Sequence, residues 1–495
     1  MYYIGYDLGS SSIKAALVDV DSGKSAGVTQ YPEQEMEILS VKPGWAEQDP
    51  ELWWLNICRV TKKLLVKSGV SSDKIKGIGI SYQMHGLVLV DKRHKVLRPA
   101  IIWCDSRAVE IGNITYKGVG EERCISNLLN SPGNFTLSKL RWVKENEPEL
   151  FDQVDKFLLP GDYIALKLSG AITTTISGLS EGIMWDFKQN QPAEWLFDYM
   201  GISTGLIPDV VSTFSHQGSL TKEAATEIGL AQGIPLLYRA GDQPNNAMSL
   251  NVMQPGEIAA TGGTSGVVYA VTDSTKTKES LRINNFAHVN YTKELPRIGK
   301  LLNINGAGIQ YSWMKKNIAV PGDSYETMNE LAATIPVGSD GLRIIPFGNG
   351  AERMLNNQDN GARIFNLNFN RHRKEHLYRA GLEGIAFAFV YGIEILKNDG
   401  VNVSAIRAGN DNLFRSEIFS KTIATLIDTE INIIDTTGAV GAARAAGVSN
   451  GDFESLNEIF STDDQVRTFR PLKERQAFIE AYILWKNDLE NSYNN

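Results

Sequence analysis

The chain has 495 residues, 42% of them hydrophobic, and a formal net charge of −8. That length and apolar content support two or three domains with substantial cores. The acidic balance excludes a nucleic-acid surface built on clustered Lys and Arg. Three cysteines, Cys58, Cys104 and Cys124, form no CxxC pair and no metal-ligand spacing, as expected in a reducing compartment. The start, MYYIGYDLGSS, has no basic n-region and carries Asp7, so it does not read as a secretory signal. The cytoplasm is the expected location, with no membrane and no nucleic acid among the partners.

In chain order, YYIGYDLG reads as a strand ending in a glycine turn, SSIKAALVDV as a second strand, and DSGK as a turn into a third. PELWWLNICRVTKKLLVKSG (50–69) has helical periodicity, and KIKGIGISYQ (74–83) reads as a strand. LVLVD and AIIWCD are strand-like runs that each stop at a carboxylate. A helix is expected over 136–151 and a strand over IPLLYRAGD (234–242). Then the pattern restarts. EIAATGGTSGVVYAV (257–271) aligns with YIGYDLGSSSIKAAL (3–17), placing Gly263 on Gly9, Thr264 on Ser10 and Ser265 on Ser11. Two related halves follow, with the boundary near MSLNVMQPGE, so the expected domains are 1–250 and 251–495. LYRAGLEGIAFAFVYGIEIL (377–396) contains Arg379, Glu383 and Glu394, costly in a bilayer, and reads as a buried core helix.

DLGSSS (7–12) and GGTSG (262–266) are small-residue turns between strands. Such turns can aim several backbone N–H groups at one anion, and Lys14 could add charge beside the first. One alone is more often a plain hairpin turn; two at matching positions point to phosphate. No Walker A motif fits GKS at 23–25, and no GxGxxG opens a helix after a strand. Asp7 lies in the first phosphate-type turn, where a carboxylate is repulsive unless a cation such as Mg²⁺ intervenes, commonly through water. Asp242 ends a strand, and Pro244 suits the first turn of a helix behind it. Asp242 or Gln243 could be only a helix cap, the commoner role from local sequence, or Asp242 could accept a hydroxyl proton. RHRKEH (371–376) sets His372 and His376 four apart, a spacing that can bind zinc; three neighbouring cations and no evident third ligand favour a solvated helix start.

Taken together the motifs resemble the FGGY carbohydrate kinases, most closely the bacterial xylulokinase branch. The matching stretches are YIGYDLGSSSIKAALVD, GWAEQDPELWW (44–54), YQMHG (82–86), RPAIIWCDSR (98–107), KLRWVKENEPE (139–149), LLPGDYIALKLSG (158–170), EGIMWDF (181–187), AGD (240–242), GGTSGVVYAV (262–271) and GAVGAARAAG (438–447). They run in family order over essentially the whole chain. The resemblance implies an α/β protein of two actin-like, ribonuclease H-type domains with a central interdomain cleft. It implies transfer of the γ-phosphate of ATP, with Mg²⁺, to a small-molecule sugar, which for xylulose is at the C5 hydroxyl; a homodimer is a candidate assembly. Carried over by position, the catalytic base falls on Asp242 and the sugar contacts on Met84, His85 and Gln243. The phosphate turns fall on Gly9, Ser10 and Ser11 with Lys14, and on Gly263, Thr264 and Ser265. Further nucleotide turns fall on Gly306 and Gln310 and on Gly409, Asn410 and Asn412, and the Mg²⁺ side on Asp7. Asp105 either lines the sugar site or caps the helix that SRAVE begins. Trp103 either packs on the sugar or, more simply, belongs to the core.

Departures from the family pattern leave the sugar open. Xylulokinases usually carry Asn after the base; Gln243 is one methylene longer and matches glycerol kinases. The alternatives are therefore an FGGY kinase of L-ribulose, a glycerol-like polyol or gluconate, and a non-catalytic actin-like nucleotide-binding regulator. The adenosine-side turn is Ala408-Gly409-Asn410 rather than a glycine triplet, NGAERMLNN (349–357) keeps Glu352 and Arg353 but loses a proline, and Asn134 departs near the Lys-x-x-Trp signature.

Overall fold

The computed structural model describes residues 1–453, 455 and 464–493. The first half opens with three antiparallel strands, β1 (Tyr2–Leu8), β2 (Ile13–Asp19) and β3 (Ser25–Tyr31). Helix α1 (Pro50–Ser68) is started by Asp49, whose carboxylate accepts from the Glu51 amide, and is stopped by Gly69 in the left-handed conformation. Strand β4 (Ile75–Tyr82) then runs parallel to β1. The helix expected over 136–151 is two: α2 (Thr136–Asn146) and a four-residue turn from Pro148, whose ring cannot continue a helix from the preceding turn. AIIWCD is strand only at Ala100–Ile101. Helices α3 (Pro160–Ser169) and α4 (Ile176–Glu181) lead to β5 (Leu236–Gly241), and α5 (Asp242–Ser249) follows with no intervening loop. The sheet order is β5-β4-β1-β2-β3. Trp53, Ile57 and Leu64 of α1 with Tyr163, Ile164 and Leu168 of α3 bury against it.

The second half repeats this plan. Strands β6 (Glu257–Gly262) and β7 (Gly266–Thr272) form the hairpin, followed by β8 (Asn284–Ala287) and β9 (Ile298–Ile304). Helices α6 (Gly308–Asn317), α7 (Tyr325–Ala333) and α8 (Lys374–Asn398) precede β10 (Ala405–Gly409). Then come α9 (Glu417–Ile427), β11 (Ile431–Ile434), α10 (Gly438–Ser449), β12 (Gln465–Phe469) and α11 (Gln476–Tyr493). The sheet order is β8-β9-β7-β6-β10-β11-β12. Its five central strands have the sequence of β3-β2-β1-β4-β5, with the same parallel and antiparallel senses. The aligned turns are therefore equivalent hairpin tips of two similar sheets. Helix α8 is the buried core helix expected: Leu382, Ile385, Phe387 and Phe389 are enclosed, and Arg379 is neutralised by Glu383 one turn on, at 2.7 Å. No helix among the described residues is long and apolar enough to cross a membrane.

The two halves interlock through α5 and α10. Helix α10, from the second half, lies on the first sheet: Ala439, Val440, Ala442, Ala443 and Ala446 pack with Tyr3, Ala16, Val18 and Tyr238. Gly5 and Gly79 permit this, because a Cβ there would stand 2.0 Å from the Ala439 carbonyl oxygen and 1.9 Å from that of Ala442. Conversely Ala247 of α5 joins Ala259, Tyr269 and Val271 of the second sheet. The helices touch where Gly441 faces Ser249. Both begin on the floor between the sheets.

Candidate active site

Three chain reversals meet at that floor. Asp242 is the first residue of α5, with Gly241 before it. Asp7 on β1 accepts a hydrogen bond from Ser81 on β4 at 2.9 Å and pairs across strands with Lys14. Gly438 starts α10 against Asp7, and a Cβ there would be 2.7 Å from the Asp7 carboxylate. The positive ends of two helices thus converge beside two carboxylates. Asn245 of α5 ties the helices by donating to the Gly438 carbonyl at 3.0 Å, and Asn246 reaches Thr261 of β6 at 3.1 Å.

The electrostatics single out Asp242. It is half-buried, and loss of hydration, then the charge of Asp7, push its pKa up to about 7 despite the amide and side chain of Gln243. Asp7 is also raised by burial, with Lys14 and Ser81 opposing. A carboxyl poised near 7 can give and take a proton at neutral pH.

Met84 and His85 border the same corner. Gly241 is wedged between the Met84 side chain and Glu181 Oε2. His85 has φ of 61°; Lys139 Nζ, fully buried, donates to its carbonyl and to that of Ile102, both at 2.9 Å. The His85 ring sits against Phe135 and Phe286, with Nδ1 2.9 Å from the Glu181 carbonyl. Burial drives its pKa down to about 3, so it is a neutral imidazole donating from Nδ1. Glu181 itself is enclosed, neither carboxylate oxygen has a hydrogen-bond partner, and burial followed by the charges of Asp242 and Asp162 holds it well above the usual carboxylate range. Ser81 lies in no motif that marks it, while Lys139 and Glu181 each open a stretch that matches the family pattern without marking its role; the fold brings the three here.

The first turn is held by Gly9 N–H on the Ser12 carbonyl and by Gln48 on the Ser10 carbonyl. Ser11 is exposed and Lys14 half-buried. At the second turn, the first amides of α6 donate to the Gly263 and Thr264 carbonyls, at 3.1 and 3.0 Å. Gly308 allows this approach, since a Cβ there would stand 2.3 Å from the Gly263 carbonyl oxygen; one on Gly306 would stand as close to the Pro346 carbonyl oxygen. Glu352 accepts from the Asn305 and Gly306 amides at 2.9 and 2.6 Å. Gln310 is buried, its amide nitrogen on the Met314 sulfur and its Oε1 unpartnered. Gly409 ends β10, Asn410 donates to the Ile434 carbonyl, and Asn412 takes a left-handed φ of 47° facing Gly263. A cavity of about 320 Å³ extends from Gly263 and Thr264 past Tyr311, Tyr325 and Leu382 to Asn412 and Ser416. Sequence reasoning missed Asp411, whose burial-raised pKa is offset by Lys14 from the opposite half and by Arg415.

Two expectations need correction. Asp105 is fully buried, and its oxygens are taken by the Ala46 amide at 2.6 Å and by the Arg107 guanidinium at 2.7 Å. It braces the wall behind the cleft, and Asn134 holds its carbonyl. Trp103 is not core: it is 53% exposed, with Nε1 3.4 Å from Ser10 Oγ. RHRKEH does start a helix, α8, with Arg371 and Arg373 exposed, while His376 itself is buried and meets Asp340 at 3.2 Å. No group of three or more His, Cys, Asp or Glu poised for a metal ion occurs among the described residues.

The model of the FGGY family of carbohydrate kinases, N-terminal domain, matches residues 2–249, and that of the C-terminal domain matches 258–450. The xylulose kinase of Bacillus subtilis (strain 168) is 30% identical over 472 residues, covering 92% of this chain and 90% of the relative. The L-xylulose/3-keto-L-gulonate kinase of Escherichia coli (strain K12) is 28% identical over 465 residues, with 92% and 90% covered. The crystal structure of xylulose kinase from Rhodospirillum rubrum superimposes with a TM-score of 0.89 at 24% identity and full coverage of both chains, which shows the two-domain fold. Two sheets of one plan, locked by exchanged helices around a carboxylate-floored cleft, are thus the frame of a sugar phosphotransferase, and the chain belongs to the FGGY family of carbohydrate kinases.

Proposed function

We propose that the chain transfers the γ-phosphoryl group of ATP to the C5 hydroxyl of D-xylulose. Residues 1–250 would hold the sugar and the base, and 251–495 the nucleotide. The observation that carries this reading is Asp242, at the head of α5 with a pKa near 7, beside Asp7 and within the floor shared by both Gly-Ser/Thr turns. Asp242 takes the hydroxyl proton as the oxygen attacks phosphorus. The neutral His85 and Met84 fix the sugar in place, and Gln243 contacts the hydroxyl region beside the base. Amides of the turns at Gly9–Ser11 and Gly263–Ser265 offset charge on the transferred group.

The residues fit a divalent cation: Asp7 accepts one hydrogen bond from Ser81, and Asp7 with Asp242 carry more negative charge than Lys14 balances. When bound, Mg²⁺ would neutralise phosphate oxygens facing Asp7. The test is sugar-dependent ADP release across a panel of D-xylulose, L-xylulose, L-ribulose, glycerol and gluconate. D-xylulose should give the highest kcat/KM, and Asp242→Asn should lose most of its turnover while ADP still binds. Unchanged turnover in that variant refutes the role of Asp242.

A second reading keeps the chemistry and changes the sugar. Gln243 and the likeness to a kinase named for L-xylulose and 3-keto-L-gulonate favour it. A panel led by another substrate than D-xylulose establishes it. ATP binding without phosphoryl transfer to any sugar would point instead to a regulator.

A further inference from the structure

The second sheet ends at β8, and the outer edge of that strand is closed by the first half rather than by another strand. The Asn285 amide donates to Asn130 Oδ1 at 2.9 Å, its side chain donates to the Leu129 carbonyl at 2.9 Å, and the Asn130 side chain donates in return to the Asn285 carbonyl. Two residues on, the Ala287 amide donates to Ser180 Oγ at 2.8 Å, and Ser177 Oγ donates to the Ala287 carbonyl at 3.2 Å; both serines lie on α4. These bonds take up the alternate amides and carbonyls that an edge strand leaves unpaired. All four residues of β8 are buried, and Lys300 of β9 holds the Asn285 side chain from its own half at 3.1 Å. The strand is stitched across the halves at 285 and 287, and the side chain between them, Phe286, points to the opposite face.

That face meets His85. The imidazole centroid is 5.3 Å from the Phe286 ring and 4.8 Å from the Phe135 ring, and the two phenyl rings are 6.0 Å apart, edge to face. Three rings therefore close on one another, two from the first half and one from the second. Phe286 is 1% exposed, so it acts on a ligand only through His85. Helix α4 supplies the other constraint: its last residue, Glu181, accepts from His85 Nδ1 at 2.9 Å, which leaves Nε2 as the acceptor for a ligand. The terminal torsion of a histidine is soft, and the two phenyl rings set the angle that one hydrogen bond leaves free.

We propose that Phe286 is a positioning residue for the sugar: from the second half it holds the His85 imidazole at the angle in which Nε2 accepts a sugar hydroxyl, so that both halves build the sugar site. This rests on the sugar reading of His85 above. The test compares full-length wild type, Phe286→Leu, His85→Ala and the double variant in steady-state assays of ADP release with D-xylulose, with calorimetric ADP binding alongside. Leucine keeps apolar bulk at 286 and removes the flat ring. Affinity falls with the fraction of molecules whose His85 is held ready, and one aromatic contact is worth about 2- to 12-fold, so Phe286→Leu should raise the D-xylulose KM by that factor. Its KM for ATP and its ADP affinity should match wild type, and in the His85→Ala background the substitution should add nothing to the D-xylulose KM. An unchanged D-xylulose KM, an equal rise in both KM values, weakened ADP binding, or a further loss in the double variant would each overturn the assignment. A wild-type D-xylulose KM in His85→Ala alone would sink the sugar reading itself, a result distinct from the others.

Discussion

Gly79→Ala tests the interlock between the halves. The added methyl would stand 1.9 Å from the Ala442 carbonyl oxygen and 2.6 Å from its carbon, both backbone atoms that cannot rotate aside. Restoring ordinary contact requires α10 to retreat from the sheet by roughly 1.5 Å. Overpacking of this kind costs about 1–3 kcal/mol, and a backbone obstacle places it at the upper end. Loss of glycine freedom in the unfolded chain offsets about 0.4–1 kcal/mol, leaving a net destabilisation of about 2 kcal/mol. Gly27→Ala on β3 is the control: its methyl would meet Leu64 Cδ1 at 3.7 Å and Ser68 Cβ at 3.9 Å, both ordinary contacts, so it should be neutral or stabilise slightly. Urea denaturation of both variants reads the difference. Because α10 starts at Gly438 against Asp7, the retreat should also lower sugar-dependent ADP release. Equal urea midpoints for the two variants would refute the close-approach reasoning.

Asp242, with its pKa pushed up to about 7, should impose an acidic limb on kcat centred near pH 7. Its raised pKa favours the folded state when protonated, a contribution complete below the unfolded carboxyl value near 3.9 and lost as pH rises through 7; Asp242→Asn should therefore be the more stable protein at pH 8 but not at pH 3.5, by urea midpoint. The same variant should lose about 10²- to 10⁴-fold in kcat, the usual contribution of a general base. Lys139→Met leaves the His85 carbonyl without its donor and the Ile102 carbonyl with the Asp105 amide alone, which should cost about 1–3 kcal/mol and raise the sugar KM more than that for ATP, in steady-state assays. Glu352→Ala frees the Asn305 and Gly306 amides and should do the reverse, raising the KM for ATP first.

Much of this architecture is written locally. The paired turns at Gly9 and Gly263 could be aligned because Gly and Ser/Thr between apolar strands is a short-range pattern, and the two sheets share one strand order around them. Asp49 and Gly69 bound α1 by chemistry contained in a few residues. What local pattern does not carry is the partner of a side chain. Asp105 could be read as a sugar contact because Ala46, which shares its carboxylate with Arg107, is 59 residues away. Trp103 looked like core because its neighbours in sequence are apolar, whereas the strand ends at Ile101 and turns it outward. Glu181 ends an ordinary helix, and its burial beside Gly241 depends on a strand 60 residues later. GAVGAARAAG reads as a helix of small residues; which sheet it covers is decided by Gly5 and Gly79, more than 350 residues earlier.

The exchanged helices bear on how the chain can be divided. A cut near residue 250 respects the repeat in the sequence but leaves each fragment missing the helix that its partner supplies. Fragment 1–250 would expose the face that α10 covers, with Tyr3, Val18 and Tyr238 open to water, while fragment 251–495 would carry α10 with nothing beneath it. Neither piece is then an independent folding unit, and each should be insoluble alone yet recoverable when both are produced together. The repeat records a doubled plan; the finished molecule is closer to a clasp, in which either hand is incomplete without the other's fingers.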